Sequence, residues 1–125
     1  PTNNPNRLII DRALFVNVLR RVSVFADAAL GLAKLQLKNG ELVVSTENKD
    51  YSISAEEKVA CNYTGDDLTI GFKASFLIEI LNNISATEVL VELSDPTRAG
   101  VILPLENKEN EDLLMLLMPM MLSDF

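Results

Sequence analysis

The chain has 125 residues, 48% of them hydrophobic and 23% charged, with a net charge of −7. That is enough for one domain with a sizeable core, and the acidic balance excludes sequence-independent attraction to phosphate over the whole surface. Histidine is absent and the five glycines are scattered, so the usual general base, the common nucleophilic triads and a phosphate-cradling loop are all missing.

Cys61 is the only cysteine, which rules out an internal disulfide and points to a reducing compartment, the cytoplasm. It lies in an alternating apolar stretch and reads as a small core residue rather than a nucleophile. Neither a signal peptide nor a membrane span is visible. The carboxylates gather at Glu56-Glu57 and over 106–112, where solvated faces and loops account for them. No enzyme, metal or cofactor is expected.

A short apolar run over 8–10 predicts a strand, after which Asp11 is placed to cap a helix reaching Phe25. Phe15, Val18, Leu19, Val22 and Ala26 recur at helical spacing as its buried stripe, with Arg12, Asn17, Arg20 and Arg21 on the other side. Ala33, Leu35 and Leu37 alternate with Lys34 and Gln36 as a half-buried strand does. Asn39-Gly40 is a strong hairpin signal, and 42–45 returns from it. Tyr51, Ile53, Ala55, Val59, Cys61 and Tyr63 then keep a period of two, which Glu57 alone breaks.

After the polar break Thr64-Gly65-Asp66-Asp67 the pattern restarts. A strand over 68–72 leads to a helix over 74–83, an alternating strand at Val89, Val91 and Leu93, a turn at Asp95-Pro96-Thr97-Arg98 and a strand over 101–103. The segments 15–23 and 77–85 align at a constant offset (81 − 19 = 62), so the chain reads as a duplicated unit, approximately 7–63 and 67–122. Each unit reads strand, helix, three strands. The fold class is therefore α+β, with two helices on one face of antiparallel sheets.

The chain closes on the apolar run 113–122, which holds all four methionines: Met115, Met118, Met120 and Met121. It is too short to cross a bilayer, which needs ~20 helical residues. Over 113–117 it reads as a final core strand. Beyond that, methionines that suit varied partners, beside a strand-ending Pro119, fit the floor of a groove as well as they fit core. The cations at the two helices, Arg12, Arg20, Arg21 and Lys73, read either as solvated faces or as phosphate contacts.

Tyr63-Thr64-Gly65, Ile70-Gly71-Phe72, Phe76-Leu77-Ile78-Glu79-Ile80-Leu81, Leu93-Ser94-Asp95 and Leu117-Met118-Pro119-Met120 together resemble the C-terminal domain of the bacterial sliding clamp, the β subunit of DNA polymerase III. The pieces stand in the family's order over nearly the whole chain, and the style of 20–25 is similar to clamps of the Bacteroidetes. The resemblance implies a DNA-clamp fold and a processivity function. In that family, three such domains per subunit and two subunits make a ring around duplex DNA.

It further implies a hydrophobic groove that receives Gln-Leu-x-Leu-Phe-type peptides from polymerase and clamp-loader subunits. Matching positions are Leu30, Lys73, Phe76, Thr97 and Ala99, with Leu116, Leu117, Met118, Pro119, Met120, Met121 and Leu122. Arg12, Arg20, Arg21 and Lys73 would face DNA, and Val24 and Phe25 would meet the second subunit. Two departures stand out: Met121 replaces the arginine of many clamps, and Ser123-Asp124-Phe125 runs past the usual end at Leu122. The competing reading is a non-catalytic α+β interaction module unrelated to clamps.

Overall fold

The computed structural model describes residues 5–24, 31–48, 53–105 and 115–119, with the backbone alone at 47–48, 53 and 115–117. The first strand, β1 (Asn6–Asp11), runs directly into α1 (Arg12–Ser23). Three strands follow, β2 (Leu32–Lys38), β3 (Glu41–Asn48) and β4 (Ile53–Ala60), then a short β5 (Asn62–Thr64). The order then recurs as β6 (Leu68–Lys73), α2 (Ala74–Asn82), β7 (Glu88–Leu93), β8 (Gly100–Pro104) and β9 (Met115–Leu117).

Two antiparallel sheets result, β5-β1-β7-β8-β9 and β4-β3-β2-β6. Each half contributes its first strand to the other half's sheet: β1 pairs with β7, and β6 pairs with β2. The helix starts are tied in the same crosswise manner. Arg12 N–H donates to the Thr87 carbonyl at 2.9 Å, and Ala74 N–H donates to the Gly31 carbonyl at 2.8 Å.

Side chains on the inner faces explain this closure. Ala33, Leu35, Leu37, Leu42 and Val44 of one sheet and Leu8, Ile10, Val89, Val91 and Ile102 of the other share one core with Phe15, Leu19, Leu77 and Leu81 of the helices. At ~25 cal/mol per Å² of buried apolar surface, this shared core is the main source of stability. Helix α1 rests on β1 to β4 and against α2, while α2 rests on β6. The expected alternation in β2 and the two-residue Asn39-Gly40 hairpin are present, with Lys38 paired to Glu41 and Gly40 at φ 77°.

The stretch around 51–63, expected as one strand, is two. It leaves its sheet after Ala60, and β5 crosses to pair with β1, matching Leu8 to Tyr63. A junction of polar groups holds this crossing. Buried Asn6 accepts from Asp66 N–H at 2.9 Å and donates to the Ser94 carbonyl at 2.9 Å, while the Tyr63 hydroxyl donates to the Asp66 carbonyl at 2.5 Å. Gly65 sits against it with φ +140°, where an added Cβ would lie 2.3 Å from Asn6 Oδ1 and 2.9 Å from Asn6 Cα. Only glycine suits both the backbone angle and the space.

Helix α1 ends earlier than expected, at Ser23, whose hydroxyl donates to the Arg20 carbonyl at 3.0 Å and closes the last turn. Its buried face includes Val16 as well as Phe15, Val18, Leu19 and Val22. Ala26 of the expected stripe and Tyr51 of the expected strand lie outside the described residues. Within the closing run, β9 spans Met115–Leu117, paired with β8 through Gly100↔Leu117, Val101↔Leu116 and Ile102↔Met115.

Candidate functional site

The first part of the candidate groove lies where β6 becomes α2. Lys73 is the residue before the helix, and it makes no side-chain capping hydrogen bond. Its Nζ stands 5.0 Å from the centroid of the Phe76 ring, a cation–π contact. Ala74, Leu77 and Leu81 turn inward, which leaves Phe76 on the outside at 60% exposure. A large aromatic ring held this far into solvent contributes little to the core and is available to a partner. Leu30 lies outside the described residues; Gly31, just before β2, accepts from Ala74 N–H and ties the start of β2 to the start of α2.

The second part is the β7–β8 turn and the end of β9. Asp95 organises the turn: its Oδ1 accepts from Thr97 N–H at 2.8 Å and from the Thr97 hydroxyl at 2.6 Å, and its Oδ2 stands 3.3 Å from Arg98 Nε. These contacts, the Thr97 hydroxyl first, hold the Asp95 carboxyl below the ordinary carboxylate range. Thr97 is thereby fixed in place on the surface, with Ala99 half-buried beyond it.

One residue past the last β8–β9 pair, the register leads to Ala99 on one strand and Met118 on the other. Met118 is 70% exposed and Pro119 half-buried. Pro119 follows the end of an edge strand, where its missing N–H breaks no ladder. Leu116 and Leu117 are placed through their backbone pairing, while Met120, Met121 and Leu122 lie outside the described residues.

The helix cations occupy four different settings. Arg12 is half-buried and spans the two halves, donating from Nε to the Ala86 carbonyl at 2.9 Å and from Nη1 to the Leu81 carbonyl at 3.3 Å. Arg21 forms a two-pronged pair with Glu57 of β4, Nε to Oε2 at 2.8 Å and Nη2 to Oε1 at 3.0 Å. That pair holds the Glu57 carboxyl below its ordinary range. Lys73 covers Phe76. Arg20 is exposed and makes no ion pair among the described residues.

Val24, the residue that follows α1, is 77% exposed, while Phe25 lies outside the described residues. Leu14, an exposed apolar residue on the outer face of α1, is absent from the sequence-based site. Its position three residues after the capping Asp11, off the apolar stripe, is the signal that would have marked it. The Cys61 thiol is pushed up by burial and by the nearby Glu41, which disfavours the reactive thiolate. Among the described residues no three metal-ligating side chains come together, and no helix is long and apolar enough to cross a membrane.

Two helices side by side on two strand-exchanging antiparallel sheets are the build shared with solved sliding clamps. A solved sliding clamp of Pseudomonas aeruginosa, determined with griselimycin bound, superposes with a TM-score of 0.90 at 29% identity, over 98% of this chain and 32% of that one. A clamp from Bartonella birtlesii, also with griselimycin, gives a TM-score of 0.89 at 33% identity over 97% of this chain and 32% of that one. Among curated relatives, the beta sliding clamp of Treponema pallidum is 28% identical, covering 96% of this chain and 32% of its own length. Residues 1–121 match the family model for the DNA polymerase III beta subunit, C-terminal domain, and the chain belongs to that family. That membership overturns the reading as an unrelated interaction module. The chain spans about a third of the length of the relatives it matches.

Proposed function

We propose that this chain serves as the third domain of a DNA polymerase processivity factor, a non-catalytic ring component that needs no cofactor. Two subunits close into a homodimeric ring around duplex DNA without reading its sequence, in the cytoplasm and away from membranes. Residues 7–63 and 67–122 are a duplicated unit whose two helices line the hole. Arg20 is the helix cation without an ion pair among the described residues, with Arg12, Arg21 and Lys73 contributing positive charge from within their own contacts. Val24 and Phe25 lie in the subunit interface. Family membership over 1–121 supports this reading.

The docking site for polymerase and clamp-loader peptides is formed by Leu30, Lys73, Phe76, Thr97, Ala99 and the residues from Leu116 to Leu122. The observation that carries it is the outward display of Phe76 and Met118, at 60% and 70% exposure, where most other large apolar side chains among the described residues are buried. Apolar anchors of this kind are the residues that a short peptide can cover with most gain. Calorimetry of a Gln-Leu-x-Leu-Phe-type peptide tests the site. Binding that weakens about tenfold or more in Phe76→Ala, a hot-spot loss on the order of 1.4 kcal/mol, supports it. Equal binding by the variant removes Phe76 from the site.

A further inference from the structure

We infer that Glu57 is an internal competitor for DNA phosphate, which occupies the fork of Arg21 so that a duplex passing α1 meets one arginine unpaired among the described residues, Arg20, instead of two adjacent ones. The inference rests on the proposed placement of α1 beside DNA.

Three observations carry it. Glu57 shares its side of β4 with half-buried Ala55 and buried Val59, the side on which α1 packs, so an apolar residue there would extend the core. The carboxylate instead takes the Nε–Nη2 edge of the Arg21 guanidinium, at 2.8 and 3.0 Å, the two-pronged geometry by which arginine grips phosphate. The pair is open to solvent, with side-chain exposures of 57% and 34%. An open pair adds little stability, so stability is a poor reason to interrupt the strand's apolar alternation. Its solvent access also lets a phosphate oxygen compete for the same donors.

Arg20 and Arg21 are thus neighbours in sequence with opposite states, one unpaired among the described residues and one engaged. A ring that must slide gains from few and weak phosphate contacts, because each contact made on binding has to break at every step. Glu57 keeps one such contact from forming.

The test is fluorescence anisotropy of a short labelled duplex titrated with the chain over a range of salt, comparing wild type, Glu57→Gln, Glu56→Gln and Glu57→Gln/Arg21→Ala. Glu56 is exposed on the opposite side of β4, so its variant removes the same charge without touching Arg21. Glu57→Gln is expected to bind about eightfold tighter near 0.1 M salt and to steepen the slope of log K against log salt by about 0.9, the value of one added phosphate contact. Glu56→Gln and the double variant should keep the wild-type slope. Equal slopes in Glu57→Gln and wild type, with wild type binding, overturn the inference and leave the DNA-facing reading standing. An increase shared by Glu56→Gln also overturns it, because net charge then explains the change. Failure of every form to bind duplex at low salt overturns the DNA-facing reading, and the inference with it.

Discussion

Asp11 and Lys73 stand at the same place in the two halves of the domain, 62 positions apart (73 − 11), each ending a strand and preceding a helix. Asp11 Oδ1 accepts from Leu14 N–H at 2.9 Å and caps α1. Lys73 caps nothing and sits over Phe76 instead. A cation before a helix start opposes the helix dipole, so one half keeps the stabilising residue and the other departs from it beside its exposed aromatic ring. Departures of this kind mark places where stability yields to another requirement.

The two positions should respond oppositely to substitution. Asp11→Ala is expected to lower stability by about 1 kcal/mol through loss of the cap. Lys73→Asp should raise it by roughly 0.5 kcal/mol, a gain of about 1 from a new cap less about 0.5 for the lost ring contact. Urea unfolding of both variants measures the pair of effects.

Gly65→Ala should be among the most damaging single changes. Its Cβ would meet Asn6 Oδ1 and Cα at 2.3 and 2.9 Å on a backbone at φ +140°. Strain at such an angle costs about 1–3 kcal/mol, and displacing buried Asn6 adds about 1–3 kcal/mol for the groups it satisfies. A drop of roughly 2–6 kcal/mol in unfolding free energy is expected. A value near zero would mean that the Asn6 junction does not tie β1, β5 and β7 together.

Stability should fall at both ends of the pH scale, for different groups. The carboxyls of Asp95 and Glu57 are held below their ordinary values of 3.8 and 4.5, the first chiefly by the Thr97 hydroxyl and the second by Arg21. The folded chain therefore binds fewer protons than the unfolded one as these groups titrate. Their stabilisation is complete above about pH 4.5 and is lost as pH falls through the lower folded values. Asp95→Asn and Glu57→Gln should each flatten the acid limb of the thermal midpoint against pH only slightly, because both ion pairs are open to solvent. At the alkaline end, burial and the neighbouring Asp66 and Asp67 push the Tyr63 hydroxyl up to about 12 from 10.0. The folded form then holds the phenolic proton longer, so stability falls as pH rises from about 10 towards 12. A phenolate absorbance titration should show one tyrosine ionising near 12.

Met118→Asp should abolish peptide docking and leave the fold unchanged. At 70% exposure the new carboxylate stays in water and carries no burial penalty. An unchanged thermal midpoint with lost peptide binding is the expected pair of results. Unfolding of the variant would instead assign Met118 to the core.

Much of this architecture is legible in the residues. Hydrophobic period marks α1 and β2, and Asn39-Gly40 marks its hairpin, because each is a local signal. The exchange of first strands is not local. It depends on β1 finding β7 and β6 finding β2 across long stretches of chain, which no periodicity reports. The split after Ala60 is hidden for a related reason: side-chain parity continues across Cys61 while the backbone changes sheets. Glu57 stands out as a break in that parity, and its partner, Arg21, lies on a different element. Arg12 reads as surface by helical position, and its length lets it turn back to the Ala86 and Leu81 carbonyls.

The docking site is tested most directly by titrating a Gln-Leu-x-Leu-Phe-type peptide into the isotopically labelled chain and following amide shifts by NMR. Saturable shifts are expected at Lys73, Phe76, Thr97, Ala99 and Met118, with the edge strand β4 and the Asn39-Gly40 hairpin silent. Saturable shifts elsewhere, or none in a folded sample at millimolar peptide, would contradict a docking site on this domain.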